Sequence, residues 1–222
     1  MGSENVSSSI FYASQSGRPT LDQGEGRGNP FATSLIELLA RPSLKYSELR
    51  TDIVSLTQHK SRGFQVPDVP AVETDWTPAA WQLKPAASEE KRMAFIFVYS
   101  DYEKAGVSSL PGAERDLGRV TDALVQAGFA VETAANPTKQ ELQRALADFS
   151  RRSASADAAT IYVTGHGFEQ NGKVYLAPND YPFKQGAKVL SEMGIDIVGL
   201  GNYLKAKSAN MVFYGGCRSE LR

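Results

Sequence analysis

The 222 residues hold one cysteine and two histidines, and one of each stands where a thiol and its base would be needed for acyl transfer. Cys217 follows the apolar run Met211-Val212-Phe213-Tyr214 and two glycines. His166 follows Thr160-Ile161-Tyr162-Val163 and lies between Gly165 and Gly167. Both side chains therefore sit at the ends of what read as buried parallel strands, the sheet edge at which sites assemble in open α/β folds. In such chemistry a thiolate attacks a carbonyl, an imidazole manages the proton, and backbone amides receive the oxyanion, here that of Gly216 or Cys217 together with one near Gly167. Gly216 leaves the backbone before the thiol unobstructed, and Gly165 and Gly167 let the chain turn His166 toward it. A lone cysteine is more often a small buried hydrophobe. The glycine-flanked histidine about 50 residues earlier, the spacing of neighbouring strands joined by a crossover, weighs against that here. His59 lies near the end of an amphipathic helix beside Lys60 and Arg62 and reads as a helix-end or surface residue.

These residues need a scaffold. The length suits one domain, or one domain with a long linker. Net charge is -1 with no basic stretch, which argues against a nucleic-acid partner. No apolar window approaches the roughly 20 residues that span a bilayer, and Met1-Gly2-Ser3-Glu4-Asn5 does not open a secretory signal. Cytoplasm is the default location, with no membrane partner. One thiol excludes an internal disulfide and makes a structural zinc site implausible, so no metal ligand is assigned.

Residues 10–13 read as a strand. A helix opens at Asn29-Pro30 and carries Phe31, Leu35, Leu38 and Leu39 at helical spacing; a second spans 46–59, and 64–67 is extended. Residues 71–92 read as a linker holding both tryptophans, with Trp76 and Trp81 suggesting that parts of it are packed. Strands and helices then alternate: strand 94–99, helix 112–128 with Leu117, Val120, Leu124 and Val125 inward, strand 129–133. A helix follows, capped by Thr138 with Glu141 as capping-box partner, then strand 158–164, a hairpin arm at 173–176, helix 197–206 and strand 210–214. This alternation predicts an α/β fold, a mostly parallel central sheet with helices on both faces.

The ordered set of motifs resembles a known group. Leu110-Pro111-Gly112-Ala113-Glu114-Arg115-Asp116, Thr164-Gly165-His166-Gly167, Tyr175-Leu176-Ala177-Pro178-Asn179-Asp180 and Gly216-Cys217-Arg218-Ser219 are similar to the large-subunit half of the caspase-like cysteine peptidase clan, on the side of bacterial caspase-like proteins and metacaspases. Phe11-Tyr12-Ala13-Ser14-Gln15-Ser16-Gly17, Asp22, Asn29-Pro30-Phe31 and Gly63-Phe64-Gln65-Val66-Pro67 resemble the small-subunit half, which ordinarily follows the cysteine. The resemblance thus implies a caspase-like three-layer sandwich in circularly permuted order, as in some algal metacaspases: a small-subunit-like region 1–70, linker 71–92, and a large-subunit-like region 93–222. It also implies a site that needs no interdomain cut, because the cleavable loop of conventional members is absent from this order.

The resemblance further implies a cysteine endopeptidase with a Cys217/His166 dyad that acts on polypeptides and cleaves after Arg or Lys. Asp116 matches one acidic pocket position and Asp22 another, while Gly215 stands where a second acid is usual; Ser14 joins the substrate-binding set by motif. Asp180 is expected to order the loop after the histidine. No third residue that orients His166 is evident. No cofactor is required by the chemistry. Many metacaspases need calcium, but Asp101, Glu103 and Glu114 form no cluster that would assign it. The alternative is a catalytically inactive interaction domain, a reading that Gly215 keeps open. The oligomeric state is not legible.

Overall fold

The computed structural model describes residues 8–24, 26–70, 81–83 and 89–220. It begins with a short strand, Ser9–Tyr12 (β1), and a helix, Pro30–Leu39 (α1). Asn29 starts that helix by accepting the Phe31 N–H at 2.8 Å, with Pro30 in the first turn where its missing N–H costs nothing. Leu44–Lys45 (β2) leads into Tyr46–Lys60 (α2), and Gln82–Leu83 (β3) pairs antiparallel with β2. Next come Arg92–Val98 (β4), Pro111–Gln126 (α3), Phe129–Ala135 (β5) and Lys139–Ser153 (α4). Thr138 and Glu141 form the capping box expected of α4. Ala158–Thr164 (β6) is followed by Gly167–Gln170 (β7), Lys173–Leu176 (β8), Leu190–Met193 (α5), Ile195–Asp196 (β9), Ile197–Leu200 (α6) and Ala209–Tyr214 (β10).

Five strands form one parallel sheet in the order β1-β10-β6-β4-β5. Every residue of β6 and of β10 is buried, which is why each reads as an unbroken apolar run rather than an alternating one. Alternation still divides their side chains between two cores. Phe11, Phe213, Tyr162 and Ile96 face α1, α2 and α3 with Phe31, Leu35 and Val120. Val212, Ile161, Val163 and Phe97 face the other way, against Leu142, Leu146 and Phe149 of α4 and Leu200. The chain is an α/β three-layer sandwich, as its pattern predicts.

Three local expectations need correction. Val125 is 55% exposed instead of inward, because the buried stripe of α3 runs through Val120, Ala123 and Leu124 and one residue more rotates about 100° away. The helix expected over 197–206 stops at Leu200, continues as a 3₁₀ turn over Gly201–Tyr203, and is extended at Leu204; Gly199 and Gly201 weaken it. The linker is partly structured: β3 lies inside it, β4 already begins at Arg92, and Trp81 is buried with its indole N–H donating to Glu90 at 2.9 Å. Trp76 lies outside the described residues. His59 is exposed in the last turn of α2.

β6 and β10 are parallel neighbours, with Val163 opposite Tyr214, so the residues that follow them emerge at one edge. The segment after β1 emerges there too, since Tyr12 is also paired with Tyr214. Among the described residues no helix is long and apolar enough to cross a membrane.

Candidate active site

Beyond β10 the ladder persists for one residue, with Gly215 N–H donating to Val163 O at 2.8 Å. The chain then turns through Gly216 to Cys217. Tyr214 reaches forward to fix this turn, its hydroxyl donating to Cys217 O at 2.8 Å. β7 runs against the same corner at Gly167, where a Cβ would lie 1.5 Å from the Tyr214 hydroxyl and 2.6 Å from Cys217 O. Only glycine allows that approach, and it brings the two residues expected to supply oxyanion amides side by side.

The thiol faces a residue from the far end of the sequence. Thr20 N–H points at Cys217 Sγ at 3.2 Å, and Thr20 Oγ1 lies 3.3 Å from it. The His166 ring is packed edge-on against Tyr102 at 4.5 Å and Phe183 at 5.9 Å. Its Nε2 is 2.7 Å from Ser108 O. A carbonyl can only accept, so Nε2 carries a proton, and in the neutral ring Nδ1 is the nitrogen whose lone pair is available to a proton, as a general base needs. The backbone is fixed as well: His166 N–H donates to Tyr102 Oη at 3.0 Å, that hydroxyl donates to Ala177 O at 2.7 Å, and Ala177 N–H donates to His166 O at 2.8 Å. Burial raises the Tyr102 phenol far above its ordinary range, so it stays a neutral donor.

Cys217 and His166 line one cavity of about 40 Å³ together with Thr20, Asp22, Asp116 and Gly215. Asp22 accepts the N–H groups of Gly112 and Ala113 at 2.8 and 2.9 Å, at the start of α3. Asp116 lies deeper, fully buried. Its Oδ2 accepts Asn29 N–H at 2.9 Å and its Oδ1 accepts Arg119 Nη1 at 2.7 Å. Burial pushes its carboxyl up to about 6, against the Asn29 bond and the Arg119 charge, which pull it down. Asn29 also donates from Nδ2 to Gly215 O at 2.9 Å and is itself held by Gln65 Nε2 at 3.0 Å.

Ser14 is elsewhere: it is buried, donates to Arg18 O at 3.0 Å, and does not line the cavity. Asp180 is exposed in the loop after β8. Asp101, Glu103 and Glu114 are exposed, and among the described residues no group of three or more His, Cys, Asp or Glu could hold a metal ion. A larger cavity of about 430 Å³ opens between α4 and the segment 193–203, but neither Cys217 nor His166 lines it.

Thr20, Ser108, Asn29, Gln65 and Arg119 went unread as parts of this site. Asn29 carried a signal, but as a helix cap. Ser108 contributes only a carbonyl, which every residue has.

A family model for the caspase domain matches residues 91–221, more than half of the chain, from the start of β4 to beyond Cys217. No match is found among curated proteins. The parallel five-stranded sheet, the two helical layers and the extent of this match give one conclusion: the chain belongs to the caspase-domain family.

Proposed function

We propose that the chain is a cysteine endopeptidase in which Cys217 is the nucleophile and His166 the base, with cleavage after Arg or Lys. One observation carries this reading: the thiol, the imidazole and two carboxylates line a single cavity. His166 Nδ1 takes the thiol proton, Sγ attacks the substrate carbonyl, and the amides of Gly167 and Cys217 hold the oxyanion. The imidazolium then protonates the leaving amine, and water hydrolyses the thioester with His166 again as base. Asp116 and Asp22 give the pocket the negative side that a cationic substrate residue would meet.

The regions 1–70, 71–92 and 93–222 are read as small-subunit-like, linker and large-subunit-like parts in permuted order. The family match over 91–221 leaves the N-terminal part outside it, and β1 from that part extends the sheet beside β10. Both observations support the permuted reading.

Hydrolysis of fluorogenic peptides ending in Arg, Lys or Asp, by the full chain and by Cys217→Ala, with and without calcium, tests the proposal. Cleavage after Arg or Lys that disappears in Cys217→Ala is the expected result. A second reading, an inactive interaction domain, is favoured by Gly215 and by the fact that all four carboxylate oxygens of Asp22 and Asp116 already hold donors. A folded chain that cleaves none of the peptides, and whose thiol is indifferent to an electrophilic arginine peptide, would favour that reading.

A further inference from the structure

A carboxylate as deeply buried as Asp116 must be paired or protonated. Its partner, Arg119, is one turn further along α3, and the same guanidinium donates from Nη2 to Thr33 Oγ1 of α1 at 2.8 Å. Two helices thus hold it in one orientation. Space around the pair is tight: a Cβ on Gly28 would lie 1.9 Å from Asp116 Oδ1 and 2.1 Å from Arg119 Nη1, so the loop before α1 can cross only as glycine. Arg119 does not itself line the cavity. The other groups facing Asp116 are Asp22 from the N-terminal loop, whose charge raises its carboxyl, and Tyr162 of β6, fully buried and without a hydrogen-bond partner among the described residues. His166 and Cys217 share the cavity wall.

We propose that Arg119 is the positioning residue of the specificity pocket: its guanidinium supplies the counter-charge and the fixed hydrogen bond that keep Asp116 an aimed carboxylate able to receive a cationic substrate side chain. This rests on the reading that Asp116 faces the residue before the scissile bond. A carboxylate has about four acceptor sites. Arg119 and Asn29 take one on each oxygen, so room remains for a substrate guanidinium or ammonium. Without Arg119, burial and the Asp22 charge act on Asp116 unopposed except by Asn29, and Asp116 shifts toward its neutral form at physiological pH.

The test uses the full chain labelled with ¹³C at aspartate carboxyls, as wild type, Arg119→Gln and Arg119→Lys, with Asp116→Asn to assign the signal. Benzamidine serves as an arginine-like probe that needs no turnover. Kinetics compare peptides with Arg or norleucine before the reporter, from pH 5 to 8. The wild-type Asp116 signal is expected to titrate near pH 6. In Arg119→Gln the midpoint rises by about one unit or more, benzamidine binding at pH 7 weakens at least fivefold, and KM for the arginine peptide rises in step. The norleucine peptide, which offers no charge to Asp116, loses less than the arginine peptide, so the ratio of their kcat/KM values narrows, and Arg119→Lys recovers part of that ratio.

An unmoved Asp116 titration in Arg119→Gln overturns the proposal, and so does a shifted titration with unchanged benzamidine binding. Failure of every form to cleave any peptide sinks the peptidase reading instead, and the titration and benzamidine measurements still decide the role of Arg119. Should Arg119→Gln not fold, Arg119→Lys carries the comparison. The lysine reaches Asp116 without bridging to Thr33, and equal benzamidine affinity for it and the wild type counts against the fixed orientation.

Discussion

At the residue scale the thiol's immediate partner is Thr20, whose amide and hydroxyl both approach Sγ. The Thr20 N–H points at the sulfur as a donor, and the hydroxyl can either donate to it or accept from the thiol. Thr20→Val keeps the shape and the amide but removes the hydroxyl contact. The rate of iodoacetamide alkylation at pH 7 should fall about threefold to tenfold; an unchanged rate would show that the hydroxyl contributes nothing at the thiol. His166→Ala should slow alkylation further. Asp116 sets a second pH dependence. Its folded carboxyl, at about 6, is above its ordinary 3.8, so between those values the folded chain binds the proton more tightly than the unfolded one. Stability from this group is therefore complete below about pH 4 and is lost as pH rises through 6. Urea unfolding from pH 4 to 7 should show that decline, and Asp116→Asn should flatten it.

Elements decide whether those residues meet. Asp22 belongs to the loop after β1 yet holds the first amides of α3, where a negative charge also complements the helix dipole. Asp22→Ala leaves two amides without that charged acceptor and should cost about 1–3 kcal/mol, read as a lower urea midpoint with unchanged slope. Asp22→Asn, which keeps one acceptor oxygen, should fall between. Gly167→Ala is a sharper test of the corner where β7 meets Cys217, because its Cβ would displace the Tyr214 hydroxyl from Cys217 O. Loss of peptide cleavage and of rapid alkylation is expected, while a fully active Gly167→Ala would mean the corner can open.

Such element-level features were unequally legible in the sequence. β6 and β10 could be read because strands buried on both faces are mostly apolar, and the glycines beside His166 and Cys217 mark where each strand ends. The Asn29 cap and the Thr138–Glu141 box are local and could be read for the same reason. Thr20 and Cys217 are 197 positions apart, and no periodicity reports a contact of that range. The β2–β3 ladder is too short to have a period. The helix expected over 197–206 ends at Leu200 because Gly199 and Gly201 lower the helical preference that the apolar residues around them suggest.

On the scale of the whole molecule one side chain ties the distant parts together. Arg218, the residue after the thiol, is 8% exposed. Its Nε donates to Glu169 of β7 at 2.9 Å, and its Nη1 donates to Asp68, beyond α2, at 2.7 Å and to Ser14 O at 3.3 Å. The guanidinium also stacks over Tyr12 of β1, 4.4 Å from the ring centre. Its backbone continues the tie: Gly17 N–H donates to Arg218 O at 3.1 Å, and Arg218 N–H donates to Arg18 O at 3.0 Å. The N-terminal segment that delivers Thr20 is thus fastened to the segment that carries Cys217. Arg218→Met keeps the length and removes the charge, leaving Glu169, whose side chain is only 12% exposed, with the Ser16 hydroxyl but without its counter-ion. Breaking a buried pair from one side costs about 3–5 kcal/mol, less here because Asp68 is 39% exposed and screened by solvent. At about 2–4 °C per kcal/mol for a chain of this size, Tm should fall by roughly 5–15 °C. Adding Glu169→Gln to Arg218→Met should recover part of the loss, since the stranded charge is then gone. Calorimetry of the two single variants and the double measures this coupling, and strictly additive losses would mean the pair is not a joint. If it is one, Arg218→Met should also lose the benefit of Thr20 at the thiol. Its alkylation rate at pH 7 would then approach that of Thr20→Val even at temperatures where the chain remains folded.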